Sequence, residues 1–222
     1  MGFRIEAVGW LLRKHYAENM NKYRAMAIGV FGLPLLMTLM SHSSESSVSM
    51  FSTVAMFSIF YVVHLSIAEL RQREKLSLSN TLPVSNAERY AFILLNTTLV
   101  LAVWFTVVYG ASLWVATTLY PPVFPQLVKL TLENHYVYVG FVGTHAIALL
   151  INLTARRRII LPYLAALVVV VAVQYLISKY VPDGVNMSDA LRLDVRMWCN
   201  VVAAVVAWPL GYVMLKRRQI KI

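Results

Sequence analysis

Six apolar stretches, each close to the length of a helix that crosses a lipid bilayer, dominate this amino-acid sequence. They cover Tyr23–Met40, Val48–Ala68, Tyr90–Leu119, Tyr136–Thr154, Ile159–Ser178 and Trp198–Leu215. A spanning helix needs about 20 apolar residues, and in hydrocarbon every backbone polar group has to bond within the protein, which favours helices. Apolar residues make up 59% of the 222 positions and charged residues only 14%, whereas soluble domains have about 25% charged residues. The sequence therefore predicts an all-α integral membrane protein with six transmembrane helices and excludes an ordinary water-soluble enzyme.

The basic residues are distributed unevenly among the segments that separate these stretches. With the N-terminus in the cytoplasm, sixteen of the 20 Lys and Arg residues fall on the cytoplasmic side, including Arg156–Arg158 and the tail at 216–222. Cytoplasmic loops of membrane proteins carry such an excess. Topology therefore explains the net charge of +10 without a nucleic-acid partner. We predict a multi-pass protein of the cell membrane with both termini in the cytoplasm, and residues 1–24 are too polar for a cleavable signal peptide.

The N-terminal segment, residues 1–22, has the pattern of an amphipathic helix. Its apolar residues, together with the first residue of the first span, recur at intervals of three and four and so share one face. They are Ile5, Val8, Leu12, Tyr16, Met20 and Tyr23. Such a helix would lie in the inner headgroup layer and turn into the first span, either as a lipid anchor or as an elbow helix that contacts a cytoplasmic partner. The chain is then a single transmembrane domain: this helix, a six-span bundle over 23–215, and the basic tail.

The segment between the second and third spans, Glu69–Tyr90, contains more structure than a simple connection needs. Charged and amide residues come first, and a short helix is predicted over Leu76–Leu82. Pro83 should end it, because helical conformation is disfavoured in a residue before proline. Ser85 and Glu88 then have the spacing of a capping box, in which each side chain binds the other residue's backbone amide at the start of a helix. A short helix at the inner membrane face indicates a docking site for a cytoplasmic partner.

The sequence contains none of the short motifs that mark common catalytic or nucleotide-binding sites. It has no phosphate-binding loop, no zinc-binding HExxH pair and no Gly-x-Ser-x-Gly turn. Its single cysteine, Cys199, excludes an internal disulfide. All ten acidic residues fall in predicted loops or at the ends of spans, whereas proton-coupled transporters usually have a carboxylate within the membrane. We predict that the chain is not an enzyme by itself and that it holds no metal or cofactor.

Several polar residues lie within the predicted spans, and interhelical hydrogen bonds are the simplest explanation for them. They are His64, Asn96, His145, Asn152, Gln174 and Asn200. Four of them are also candidates for lining a substrate path: His64, Asn96, His145 and Gln174. The five histidines are scattered along the chain, which gives little support to a haem or metal site.

The Glu69–Tyr90 segment resembles the region between spans two and three of ABC-2 type transporter permeases. In that family an acidic residue ends span two, and a charged stretch, a short coupling helix, a Leu-Pro turn with serine and a glutamate before span three follow. Glu69, Arg71–Lys75, Leu82–Ser85 and Glu88 occupy the corresponding places here. The residues that the resemblance assigns to ATPase coupling are Glu69, Arg71, Arg73, Glu74, Lys75, Leu78, Leu82, Pro83, Ser85 and Glu88. Many members have a Gly-Thr/Ser-Leu-Glu pattern where this chain has Leu76-Ser77-Leu78, so the register of the coupling helix stays open.

The resemblance implies the membrane subunit of an ATP-driven exporter in a bacterial inner membrane. Two permease copies would pair, a homodimer being expected, and each coupling helix, about Glu74–Leu82, would bind one of two separate ATPase subunits that hold ATP and Mg. Two other classes stay open: an ATP-independent secondary transporter or channel, and an integral membrane enzyme or assembly factor. A haem-exporting permease is a variant of the first hypothesis.

Overall fold

The computed structural model describes residues 3–41, 44–68, 84–119, 135–154 and 189–219. These residues form helices with short extended ends and no strand. The helices, in chain order, are α1 (Ile5–Ser41), α2 (Ser44–Ala68), α3 (Asn86–Leu95), a π-helical turn (Asn96–Val100), α4 (Leu101–Leu119), α5 (His135–Thr154) and α6 (Asp189–Gln219). The prediction of an all-helical chain is confirmed for this part of the protein.

Five of the six predicted spans fall on described helices. The remaining one, Ile159–Ser178, which is the fifth along the chain, lies outside the described residues. By length and composition one described helix, Asn86–Ala116, is apolar and long enough to cross a membrane. Only 28% of its most apolar window is buried inside the protein, so most of those side chains face outward, unlike those of a soluble core helix. Two further helices, Thr53–Ala68 and Val139–Thr154, are apolar but shorter. The six-span arrangement stays a prediction.

Helix α1 differs from the expected arrangement of an interfacial helix that turns into a separate first span. It runs without interruption from Ile5 to Ser41, so the elbow is not confirmed. Residues 10–28 contain no proline or glycine and are rich in good helix formers, which gives the helix no local reason to break. Its first proline, Pro34, lies well inside the continuous helix.

The buried face of α1 also differs from the predicted one. Ile5 is 79% exposed and Met20 is 45% exposed, although both belong to the predicted apolar stripe. Two polar residues, His15 and Asn19, are buried at 4% and 8% exposure. These polar side chains bond to each other and to Tyr23 and Lys22 of the same helix, which offsets the free energy of burying them.

The largest buried apolar cluster contains residues of every described helix. Val8 of α1, Ile67 of α2, Ile93 of α3, Leu149 of α5 and Leu215 of α6 belong to it. The start of α1, the end of α2, the start of α3 and the C-terminal parts of α5 and α6 therefore meet at the same end of the bundle. A second cluster of α1, α2 and α4 residues includes Val30, Val54 and Phe105.

Helices α5 and α6 approach each other closely through small residues. Ala146, Ala204 and Ala207 form a buried cluster between them. A Cβ atom added to Gly143 of α5 would lie 2.0 Å from the Oδ1 atom of Asn200. Asn200 Cβ would also lie only 2.9 Å away, so any larger residue at this position would force Asn200 or the helices to shift, as at the small-residue interfaces of membrane helices.

Hydroxyl groups from α3 and α4 bind backbone carbonyls near two prolines of the described helices, Pro34 in α1 and Pro209 in α6. Ser112 of α4 donates to the carbonyl of Phe31 at 2.6 Å, and Tyr90 of α3 donates to the carbonyl of Trp208. The α3–α4 helix is therefore bonded to both proline-containing helices.

Candidate functional site

The long helix that begins at Asn86 widens into one π-helical turn over Asn96–Val100. The amide of Leu101 bonds to the carbonyl of Asn96, five residues earlier. Two consecutive threonines bind carbonyls of the preceding turn: Thr97 Oγ1 donates to Ile93 O at 2.7 Å and Thr98 Oγ1 donates to Leu94 O at 2.6 Å. Single π-helical turns inside α-helices occur frequently at functional sites.

Asn96, the first residue of this turn, connects three helices through its side chain. It is fully buried, with 0% exposure. Its Oδ1 accepts a hydrogen bond from Tyr16 Oη at 2.8 Å, and its Nδ2 donates to Ser66 Oγ at 2.9 Å and to Tyr23 Oη at 3.3 Å. The expectation that Asn96 makes interhelical hydrogen bonds is confirmed, since its partners lie on α1 and α2.

On α1 the network continues through His15 and Asn19. The Oδ1 atom of Asn19 accepts from Lys22 Nζ at 2.9 Å, and its Nδ2 donates to the carbonyl of His15 at 3.0 Å and lies 3.4 Å from His15 Nδ1. Nδ1 is therefore an acceptor, and Nε2 carries the proton of the neutral ring and donates to Tyr23 Oη at 3.0 Å. This tautomer is assigned from the hydrogen-bond network.

The environment of His15 keeps its ring neutral. Burial lowers its pKa from 6.5 to about 4, Glu18 opposes this shift, and Lys22 adds to it. The ring also makes edge contacts with Tyr16, Tyr23 and Phe92, at centroid distances of 5.7, 5.8 and 5.4 Å. An apolar and aromatic surrounding disfavours the imidazolium form, so His15 acts here as a neutral donor and acceptor.

Thr97, the next residue of the π-helical turn, connects to α5 and, through it, to α6. Its Oγ1 lies 2.7 Å from Nε2 of His145 on α5, and Trp208 Nε1 of α6 donates to His145 Nδ1 at 3.2 Å. Because an indole N–H only donates, Nδ1 must be unprotonated and Nε2 must carry the proton of the neutral ring. His145, buried with 4% exposure, is thus also an interhelical bonding residue.

A second polar site lies at the start of α3 and contains the predicted capping box. Ser85 Oγ accepts from the amide of Glu88 at 3.2 Å, and Glu88 Oε2 accepts from the amide of Ser85 at 2.6 Å. Both bonds of the capping box are present, so this prediction is confirmed.

The other oxygen of Glu88 binds Arg4, the residue directly before α1. Oε1 accepts from the Arg4 amide at 2.8 Å, and the Arg4 guanidinium Nε lies 3.4 Å away. The carboxylate, 1% exposed, therefore binds two backbone amides from chain segments that are 81 positions apart in sequence. We call this group, Arg4, Ser85 and Glu88, the carboxylate clamp. An ionised carboxylate is the form that these three donor contacts, from the amides of Arg4 and Ser85 and from the Arg4 guanidinium, favour.

The structure places only part of the predicted site residues. Residues 69–83, with most of the predicted coupling residues, and Gln174 lie outside the described residues. His64 is half-buried on α2. Asn96 and His145 meet through the π-helical turn, since Thr97 next to Asn96 bonds to His145. No group of three or more His, Cys, Asp or Glu side chains within the described helices is arranged to hold a metal ion.

Sequence reasoning missed the polar residues of α1. His15 and Asn19 are four positions apart on a face that also holds the apolar residues Val8 and Tyr23. That spacing could have predicted a buried pair of polar side chains on this helix. Arg4 offered no comparable signal, because its partner Glu88 is 84 positions away.

Comparison with protein-family models, with curated proteins and with solved structures found no match to this chain.

Proposed function

We propose that this chain is the membrane-spanning permease subunit of an ABC exporter of the ABC-2 type. It would move a substrate across the bacterial inner membrane by alternating between conformations, and ATP hydrolysis in a separate ATPase subunit would drive the change. The chain supplies no nucleotide-binding motif of its own. Two permease copies and two ATPase subunits make up the proposed exporter, with the substrate path at the interface between the permeases.

The observation that carries this proposal is the carboxylate clamp. Glu88 lies at the end of the segment that resembles the coupling region, six positions after Leu82, and its two oxygens bind the amide of Ser85 and the amide of Arg4. A displacement of the preceding segment would therefore move the starts of α3 and α1 together. A subunit that receives a mechanical signal from a cytoplasmic partner needs such a stiff connection between its inner loop and its membrane helices.

The distribution of exposed basic side chains supports the same orientation. Arg4 and Arg13 are exposed near the start of α1, and Lys216 and Arg217 are exposed near the end of α6. Val8 and Leu215, which belong to one buried cluster, place these two helix ends at the same end of the bundle. Clustered basic residues at one end favour a cytoplasmic location for that end, where an ATPase subunit would dock.

The hydrogen bonds of Asn96 and His145 bear on the proposed substrate path. Both side chains are occupied by partners on neighbouring helices, so a substrate that reaches them has to replace those bonds. In the proposed cycle these residues hold the helices in one of two conformations, which is the differential stabilisation that alternating access requires.

The first experiment is affinity purification of the tagged full-length protein in mild detergent, with mass spectrometry of the proteins that accompany it. A stoichiometric ATPase subunit with a phosphate-binding loop supports the exporter. A protein that purifies alone and sustains substrate flux in liposomes contradicts it and identifies an ATP-independent transporter. Catalytic turnover by the purified chain without a partner identifies a membrane enzyme.

Where an ATPase subunit is found, variants of the loop test the coupling assignment. Charge reversal of Arg73 together with Lys75, or a helix-breaking Leu78→Pro, should abolish stimulated ATPase activity and leave membrane insertion intact. Glu18→Gln provides a matched control, because Glu18 is an exposed acid of α1 whose carboxylate lies near Lys14 of the same helix. Retained stimulation in both loop variants contradicts the assignment.

A further inference from the structure

The exposed apolar side chains of α6 form a band whose length matches a lipid bilayer. Trp198 is exposed at one end of this α6 band, and the exposed Lys216 follows its other end. The exposed residues between them include Val202, Val205, Val206, Leu210 and Val213. The 18 positions from Trp198 to Lys216 contain no other charged residue and correspond to about 27 Å of helix, close to the ~30 Å of a hydrocarbon core. Tryptophan and lysine are typical of the two boundaries of such a core.

Helix α1 has a second band of nearly the same length. The exposed Arg24 precedes this α1 band, and the 17 positions from there to Ser41 contain no further charged residue and correspond to about 26 Å of helix. The exposed apolar residues of the band are Ile28, Leu33, Leu36, Leu39 and Met40. On the N-terminal side of Arg24 the outward face turns polar, with Glu18, Asn21 and Lys22 exposed.

Hydrogen bonds across the bundle give the relative heights of the two bands. Tyr16 and Tyr23 of α1 bond to the first residue of the π-helical turn. Trp208 of α6 is linked to the second residue of that turn through the imidazole of His145. Segment 16–23 of α1 and Trp208 therefore lie at the same height along the bundle, yet the exposed residues there are mostly polar on α1 and apolar on α6.

Both ends of the α1 band are displaced from those of the α6 band in the same direction. Arg24 directly follows the linked segment of α1, whereas Lys216 comes eight positions after Trp208, about 12 Å nearer to the end of the bundle that holds the start of α1. At the other end, Trp198 lies ten positions from Trp208, about 15 Å, whereas Ser41 lies 18 positions beyond the linked segment, about 27 Å. Local thinning of the bilayer would bring the two boundaries closer together on one side of the bundle, whereas a tilt displaces both in one direction.

We propose that the bundle lies obliquely in the membrane, so that lipid acyl chains cover α6 as far as Lys216 while α1 leaves the hydrocarbon at Arg24. Helix α3 lies between α1 and α6, since it bonds to Arg4 and to the carbonyl of Trp208. Over two interhelical distances of about 8–10 Å, a tilt of roughly 35° displaces a boundary by about 12 Å, and spanning helices tilt by up to about 40°. The exposed apolar residues of the α3–α4 helix begin with Leu95, at a height between the two boundaries. This orientation rests on the membrane-spanning part of the proposed function and not on an ATPase partner.

The test measures the reactivity of single cysteines in the full-length chain in proteoliposomes. Cys199→Ala removes the only native cysteine, and Met20→Cys on α1 and Val206→Cys on α6 replace exposed residues at the same height. Arg217→Cys beyond the α6 band and Val107→Cys on the exposed face of α4 give the reference rates for water and for lipid. The reagent is N-ethylmaleimide, which crosses membranes and therefore reaches both surfaces whichever way the protein has inserted.

Met20→Cys should react about as fast as Arg217→Cys, and Val206→Cys should react as slowly as Val107→Cys. The difference should be at least about tenfold, because apolar surroundings suppress the reactive thiolate and one unit of thiol pKa changes its fraction tenfold. Equal rates at positions 20 and 206, or a faster reaction at 206, overturn the oblique orientation. A reaction at position 107 as fast as that at 217 also contradicts the membrane-spanning part of the proposed function, so the two failures are distinguishable.

Discussion

Replacing Asn96 by leucine should destabilise the protein by about 2 kcal/mol. The substitution removes three interhelical hydrogen bonds, of 2.8, 2.9 and 3.3 Å, and each such bond between membrane helices contributes about 0.6 kcal/mol on average. The Tyr16 hydroxyl also loses its acceptor in a buried site, which adds to the loss. The unfolding constant should therefore rise by a factor of about 30. Apolar burial offers little compensation, because lipid tails are as apolar as the leucine side chain.

Unfolding by titration with a denaturing detergent, followed by circular dichroism, measures this change. Ser66→Ala removes one acceptor of Asn96 while the chain keeps Asn96 itself, so a double-mutant cycle with Asn96→Leu should give a coupling energy of about 0.5 to 1.5 kcal/mol. Thr98→Val serves as the control and should change the unfolding free energy by less than about 0.5 kcal/mol. An Asn96→Leu variant as stable as the parent protein would refute the view that this network holds α1 and α2 to α3–α4.

Three further predictions follow from other sites. In Glu88→Gln one of the two carboxylate oxygens is replaced by an NH2 group, which faces a backbone N–H as a second donor. The melting temperature should therefore fall by a few °C, whereas Glu18→Gln should leave it unchanged. His15 has a pKa of about 4 in the folded protein, against 6.5 ordinarily. Between pH 6.5 and pH 4, His15 is therefore protonated in the unfolded chain but neutral in the folded protein. Stability present above pH 6.5 should therefore decline by at most about 1.4 kcal/mol per pH unit down to about pH 4, and His15→Gln should remove this part of the slope in melting curves measured across that range. Gly143→Ala should destabilise by about 1 to 3 kcal/mol, because its Cβ would overlap the facing asparagine of α6, whereas Gly140→Ala has open space and should not destabilise the protein in the same unfolding assay, since alanine favours helix more than glycine does.

Local patterns in the sequence predicted the local structure well. The excess of apolar residues indicated helices throughout, and Ser85 and Glu88 indicated a capping box that the structure contains. Both signals depend on residues within one or two turns of each other, where the geometry of a helix is known in advance. No proline or glycine between residues 10 and 28 requires a break between the N-terminal helix and the first span. The structure accordingly shows one continuous helix where a separate N-terminal helix was expected.

The hydrogen-bond partners of the buried polar residues could not be predicted from the sequence, because they depend on how the helices pack. Asn96 was a recognisable polar residue in a predicted span, but its bond to Tyr16 joins residues 80 positions apart, and that between Thr97 and His145 joins residues 48 apart. No periodicity within one helix specifies which residue of another helix lies opposite.

The sequence by itself determined that this chain is helical and strongly apolar, with basic residues concentrated in the segments predicted to face the cytoplasm. Only the tertiary structure decided that two neighbouring residues of a widened turn bind different helices, Asn96 those of α1 and α2 and Thr97 that of α5, and that Glu88 binds Arg4 directly before α1. The physical reason is that burial and helix periodicity are encoded in short stretches of chain. A hydrogen bond between distant residues exists only once the helices have packed, and an unpaired buried polar group then costs enough free energy to select the arrangement in which each one finds its partner.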